Sequence, residues 1–123
     1  MILDHIGLAV RDYEKSKAFY GRALAPLGIA LISEAHGWAG FGADGHPQFW
    51  LGSGDVPQQP MHIAFAAGSR AQVDAFYVAA LRGGGKDNGG PGIRAIYHPN
   101  YYSAFVLDLD GHNVEAVCHK PGP

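Results

Sequence analysis

Apolar and polar positions alternate over residues 3–10. Ile6, Leu8 and Val10 fall on one side of an extended chain, and His5, Gly7 and Ala9 on the other. The period then changes. Phe19, Tyr20, Ala23 and Leu24 recur at helical spacing behind Asp12, which predicts a helix capped by that aspartate. Residues 61–67 repeat the strand pattern, with Ile63 and Phe65 opposite His62, Ala64 and Ala66. Ser69 and Gln72 form a capping box ahead of Val73, Phe76, Tyr77, Ala80 and Leu81, a second helical stripe. Gly83-Gly84-Gly85 ends that helix, and Pro26 and Gly28 bracket the end of the first. Strands separated by glycine turns are expected at 29–33, 38–42, 48–51, 94–97, 102–107 and 113–118, with a loop over 83–92.

The two strand–helix units are copies. Aligned without a gap, residues 5–24 and 62–81 share eight identities in twenty positions, where chance gives about one or two. The identities include His5/His62, Phe19/Phe76 and Tyr20/Tyr77, and Asp44-Gly45-His46 recurs as Asp110-Gly111-His112. The expected organisation is one α+β domain, 1–123, of two βαβββ modules at 1–54 and 60–120. These would form a curved mixed sheet with helices on its outer face. The polar, proline-bearing stretch 54–60 joins them.

Composition narrows the function classes. The 123 residues are 47 % apolar and 16 % charged, enough for a packed core and against disorder. A net charge of −2 argues against nucleic-acid binding. No apolar run approaches the ~20 residues of a membrane span. No charged segment followed by an apolar one opens the sequence, so no signal peptide is expected and a cytoplasmic location is. One cysteine, Cys118, excludes an internal disulfide and a cysteine-based zinc knuckle. It lies on the helix-facing side of its strand, where a packed, inert thiol is expected.

The candidate chemistry lies on the faces turned away from the helices. His5 and His62 take that side of their strands, with only Gly7, Ala9, Ala64 and Ala66 beside them. In the last strand Val114, Ala116 and Cys118 suit the helix face, which leaves Asn113, Glu115 and Val117 opposite. Two imidazoles and one carboxylate make a set that holds a divalent metal with positions left open. Stripping water from an unpaired Glu115 would cost several kcal/mol, a further reason to expect a cation there. Tyr97-His98-Pro99-Asn100-Tyr101-Tyr102 is a polar aromatic cluster just before the strand that leads to Glu115. His98, Tyr101 and Tyr102 are its candidate proton carriers and Asn100 a candidate substrate contact. Arg94 is a candidate for meeting an anionic substrate, and Phe49 and Trp50 for walling the pocket. His46 and His112 belong to Asp-Gly turns. Gly89-Gly90-Pro91-Gly92 lacks the lysine-serine pair and capped helix of a phosphate cradle.

At four segments the sequence resembles the vicinal oxygen chelate superfamily. That superfamily groups glyoxalase I, bleomycin-resistance proteins, extradiol dioxygenases, methylmalonyl-CoA epimerases and fosfomycin-resistance thiol transferases. The segments are Asp4-His5-Ile6-Gly7-Leu8-Ala9-Val10, Ala18-Phe19-Tyr20, His62-Ile63-Ala64-Phe65 and Asp108 to Glu115. The resemblance spans essentially the whole chain and implies the glyoxalase/dioxygenase-like fold. It implies that His5, His62 and Glu115 are metal ligands for Zn, Fe, Mn or Ni. Glyoxalases and epimerases add a Glu or Gln from the fourth strand of the first module. Trp50 stands on that column here and cannot ligate, so three ligands are implied. The threonine found two residues after the first histidine in the fosfomycin branch is Gly7.

The reading that follows is a metal-dependent enzyme, dioxygenase- or lyase-like, whose small substrate chelates the ion through neighbouring oxygens. Two alternatives are a metal-independent sequestering protein of the bleomycin-resistance type and a thiol transferase of the fosfomycin-resistance type. A homodimer is expected, because a chain of this size leaves sheet edges open.

Overall fold

The structure is a computed structural model that describes residues 3–55 and 60–122. Strand β1 (Ile6–Val10) leads into helix α1 (Tyr13–Leu24). Asp12 caps the helix by accepting from the Lys15 amide at 3.1 Å, and a 3-10 turn at Ala25–Leu27 closes it on left-handed Gly28. Next come β2 (Ala30–Ala35), β3 (Trp38–Ala43) and β4 (His46–Ser53). Two-residue turns, His36-Gly37 and Asp44-Gly45, join these strands, and all four residues have positive φ. That is the turn geometry whose twist matches a hairpin.

The second half opens with β5 (His62–Ala66) and α2 (Arg70–Arg82). Ser69 accepts from the Gln72 amide at 3.2 Å as the box requires, while the Gln72 side chain accepts from the Gly68 amide, one residue ahead of the cap. Two-residue strands β6 (Lys86–Asp87) and β7 (Gly92–Ile93) precede β8 (Tyr102–Leu107) and β9 (Asn113–Cys118).

The strands form two mixed sheets. The first runs β1-β4-β3-β2, with β1 parallel to β4. The second runs β5-β9-β8-β6, with β5 parallel to β9 and β7 also paired to β8. The helix sides of both sheets share one core with the two helices. Leu8, Val10, Phe49 and Leu51 of the first sheet and Val106, Val114 and Ala116 of the second are buried with Phe19, Leu24, Val73 and Phe76. Phe49 and Phe65 meet edge to face across the halves at 5.2 Å. A buried polar cluster adds a second tie. Tyr20 donates to Asp108 Oδ2 at 2.5 Å, and Asp108 Oδ1 takes the Asp110 and His112 amides. His112 Nδ1 accepts from the Met61 amide. Burial and the Asp108 charge push the Tyr20 phenol well above its ordinary pKa.

Two expectations need correction. Residues 94–97 are a turn and not a strand: the Arg94 carbonyl accepts from Tyr97 and His98, while the Arg94 amide bonds the Tyr101 carbonyl. The 83–92 stretch is not all loop, since β6 lies within it and β7 begins at its last residue. Of the expected joint at 54–60, residues 56–59 lie outside the described residues.

Candidate functional site

The parity of each strand sets which side chains leave the core. On the second sheet Ala64 lies opposite Glu115 and Phe105 lies opposite Glu115 on its other flank. His62, Phe105 and Glu115 therefore share the face away from α2. Glu115 is 1 % exposed, yet the His62 side chain beside it is 55 % exposed, so the carboxylate sits at the floor of an open face.

Both carboxylate oxygens are engaged. His62 Nε2 lies 2.8 Å from Oε1, and the Tyr101 hydroxyl donates to Oε2 at 2.5 Å. Burial first, and then the bond to Glu115 and its charge, push the Tyr101 phenol up to about 12. Tyr101 is thus a proton donor across the neutral range. Its ring packs edge-on against His119 at 5.1 Å, and His119 packs against His98 at 5.7 Å. His98 Nδ1 accepts from the Asn100 amide, which folds the 97–101 segment onto the sheet.

His5 is on the corresponding face of the first sheet, away from the helices. Its side chain is 60 % exposed, and its Nδ1 lies 2.8 Å from Asp4 Oδ1. That hydrogen bond, with His46 near the second oxygen, holds the Asp4 carboxyl below its ordinary range. His5 and His62 both border a crevice of about 510 Å³ between β1 and β5, whose inner wall includes Phe49 and Ile63. Within one chain, however, only His62 and Glu115 come together. Among the described residues no three His, Cys, Asp or Glu side chains form a group able to hold a metal.

The pair does fit a shared ion. Two donors about 2.1 Å from one metal and at right angles lie about 3 Å apart, close to the 2.8 Å between His62 and Glu115. A neutral imidazole and a carboxylate are also ordinary ligands for Zn, Fe, Mn and Ni.

The remaining predicted residues divide by face. Tyr102 has the opposite strand parity from Phe105. It points to α2, donates to Asp74 at 2.6 Å and carries Arg70 over its ring at 5.2 Å. The Asp74 bond raises its pKa, and nothing brings it to Glu115. Phe49 is 2 % exposed and packs on Tyr20 within the core, reaching only the crevice. Arg94 does reach the open face of the second sheet. Its guanidinium covers Phe105 at 5.4 Å and donates to the Gly90 and Ser103 carbonyls, while Phe105 itself lies 6.1 Å from His62. Asn100 is half-buried beside Tyr101. Trp50 lies opposite Gly40 on the open face of the first sheet, in a cleft with His5.

Sequence reasoning missed Trp38. It stands opposite Gly52, is 40 % exposed and lines the same cleft as Trp50 and His5. The pattern Trp38-x-Gly40 repeated as Trp50-x-Gly52 was the available signal.

Comparison with known proteins now places the chain. No curated protein sequence matches it. Among solved structures, a glyoxalase/bleomycin resistance protein from Albidiferax ferrireducens T118 superposes with a TM-score of 0.83 at 28 % identity, covering 96 % of this chain and 99 % of that one. A genomically encoded fosfomycin resistance protein from Listeria monocytogenes gives 0.72 at 24 %, covering 96 % and 93 %. The oxidase ChaP-H2 gives 0.69 at 19 %, covering 99 % and 95 %. The latter two share the fold. None of the helices among the described residues is long and apolar enough to cross a membrane. Residues 2–116 match the family description itself, so the chain belongs to the Glyoxalase/Bleomycin resistance protein/Dioxygenase superfamily.

Proposed function

We propose that the protein is a metal-dependent enzyme that works as a pair of identical copies. His62 and Glu115 of one copy and His5 of the second hold a divalent ion, and a small oxygen-bearing molecule is the substrate. The observation that carries this reading is the buried Glu115 carboxylate with His62 Nε2 at 2.8 Å, on a sheet face that the chain itself leaves open. His5, the third donor, lies on the equivalent open face of the other sheet. A twofold axis that sets each first sheet against the other copy's second sheet completes two sites at once.

When bound, the ion supplies Lewis-acid or redox chemistry to the substrate oxygens. The chain's own residues do the rest. Tyr101 holds Glu115 Oε2, fixing the carboxylate so that Oε1 and the His62 ring face one point. Tyr101 keeps its proton to about pH 12, so it donates to a ligand or to Glu115 and does not act as a base. His98 Nδ1 accepts from the Asn100 amide, so the neutral ring carries its proton on Nε2, which is placed to donate to a substrate. Arg94, held over Phe105, offers a positive edge to an anionic part of the substrate, and Asn100 offers an amide.

The test is metal uptake with mixed variants. Chelator-treated wild-type protein should take one zinc per chain in calorimetry, and His5→Ala and Glu115→Ala should each take none. An unfolded and refolded mixture of the two should regain one zinc per mixed pair, because one of its two sites keeps all three ligands. Wild-type protein that takes no metal refutes the reading, and a mixture that regains nothing refutes the shared site.

A further inference from the structure

Two tryptophans on the first sheet have a seat that sheet stability alone does not require. On β3 and β4, Trp38 lies opposite Gly52 and Trp50 lies opposite Gly40. A Cβ added at Gly40 would lie 2.7 Å from the Trp50 ring, and one at Gly52 would lie 2.6 Å from the Trp38 ring. Each indole is therefore laid flat on the backbone of the neighbouring strand. The Trp38 ring reaches on toward Gly7 of β1, 3.6 Å from where its Cβ would stand. Covering glycines accounts for the lower faces of the rings. The upper faces look into a cleft of about 640 Å³ whose rim carries His5, His36 and His46. That volume is in the range of small-molecule sites.

From this we infer that the substrate contains a flat aromatic ring, which stacks on the Trp38–Trp50 platform with an oxygen-bearing edge turned toward His5. The metal-directed part of this statement rests on the function proposed above; the stacking does not. A pleated sheet face normally presents aliphatic knobs, and only flat tiles leave a slot that a planar ligand fills without voids. Aromatic contacts also favour a π-system over a saturated ring of the same size.

The probe pair is 1-naphthol and its saturated analogue decahydro-1-naphthol, titrated into chelator-treated protein. Saturable 1-naphthol binding is expected, about tenfold or more tighter than the analogue, with its ring protons shifted upfield in the NMR spectrum. Trp38→Leu and Trp50→Leu should each weaken 1-naphthol about tenfold, while Trp38→Phe and Trp50→Phe keep most of the affinity. Equal affinity for the two probes, or bound naphthol without upfield shifts, overturns the inference. Both readouts come from the wild-type protein, so a variant that does not fold leaves the test intact. Zinc uptake on the same preparation separates the two ideas. Naphthol binding without zinc uptake removes the metal and keeps the platform; zinc uptake without naphthol binding removes the platform alone.

Discussion

Alanine introduced at four glycines tests the architecture of the open face against that of the core. At Gly85 the new Cβ would sit 2.5 Å from Val106 Cγ1, 2.9 Å from Phe19 and 3.0 Å from the Ala80 carbonyl. All three neighbours are locked in the core, so a loss of about 3 kcal/mol is expected, the upper range for overpacking. At Gly40 the clash is with the lower face of one indole, whose upper face borders the open cleft. The ring must lift by about 0.7 Å to restore a 3.4 Å contact from 2.7 Å, so the cost falls to about 1 kcal/mol. Gly52 under Trp38 behaves likewise. At Gly21, inside α1, nothing lies within 4 Å, and alanine should gain about 0.5–1 kcal/mol of helix propensity. For 123 residues the unfolding entropy is about 0.26 kcal/mol/K, so each kcal/mol moves Tm by about 4 °C. Calorimetry should therefore rank Gly85→Ala about 12 °C below wild type, Gly40→Ala and Gly52→Ala about 4 °C below, and Gly21→Ala 2–4 °C above. The tryptophan near-ultraviolet circular dichroism should change in the middle pair only. In a Trp50→Leu background the cost of Gly40→Ala should vanish. Gly40→Ala and Gly52→Ala at wild-type Tm with an unchanged indole signal would show that the rings do not lie on the sheet.

Three further outcomes follow from the polar groups. Tyr20→Phe deprives the buried Asp108 of a hydrogen bond to a charged acceptor, about 1.5–3 kcal/mol, and should lower Tm by about 6–12 °C; a fall under 2 °C would mean that Asp108 is satisfied otherwise. Tyr101 has its folded pKa raised, so its contribution to stability is complete below its ordinary value near 10 and is lost as pH rises to about 12. Wild-type and Tyr101→Phe stability curves should converge across that window, and curves that stay parallel to pH 12 would refute the Tyr101–Glu115 bond. If the ion bridges two copies, zinc at a hundred times its Kd should stabilise the pair by about 2.7 kcal/mol per site. Sedimentation should then show tighter association with zinc, and zinc binding that leaves association unchanged excludes a bridging role.

The repeat and strand parity made most of the fold legible in the sequence. His5/His62 and Phe19/Phe76 fix the duplicated start, and caps at Asp12 and Ser69 lie where the sequence puts them. The failures have local causes. Ile96 and Tyr97 have strand-forming side chains, but the Arg94 carbonyl is consumed by two turn hydrogen bonds, and Ile96 is left 88 % exposed. Strands β6 and β7 pair through backbone alone in a glycine-rich stretch, so no side-chain period announces them. Tyr102 follows Tyr101 directly in sequence. Parity separates them, since Tyr102 shares its side with Ala104 and Val106 and meets α2. The His62–Glu115 contact followed from faces alone; the distance of His5 from it did not, because parity gives the side of a sheet and not the angle between two sheets.

That angle has a consequence for how this chain can make a site. Each sheet has one face sealed by helices and core, and His5, His62 and Glu115 lie on the other face, where no helix packs among the described residues. Helices α1 and α2 pack on the same shared core, as their side chains buried together with both sheets show. The open faces are thus the surface around His62 and Tyr101, which cover Glu115, on one sheet and the tryptophan platform on the other. In the dimer proposed above, a second copy would bring a complementary face: glycines and flat rings around His5 against Phe105 and a half-exposed His62. Duplication of one module makes these two faces pseudo-equivalent, so a single twofold axis suffices to close both. Enclosure from water, a third donor and a planar slot would then arise in one association step, which is why dimerisation, metal uptake and aromatic binding are expected to fail or succeed at separable residues yet on one surface.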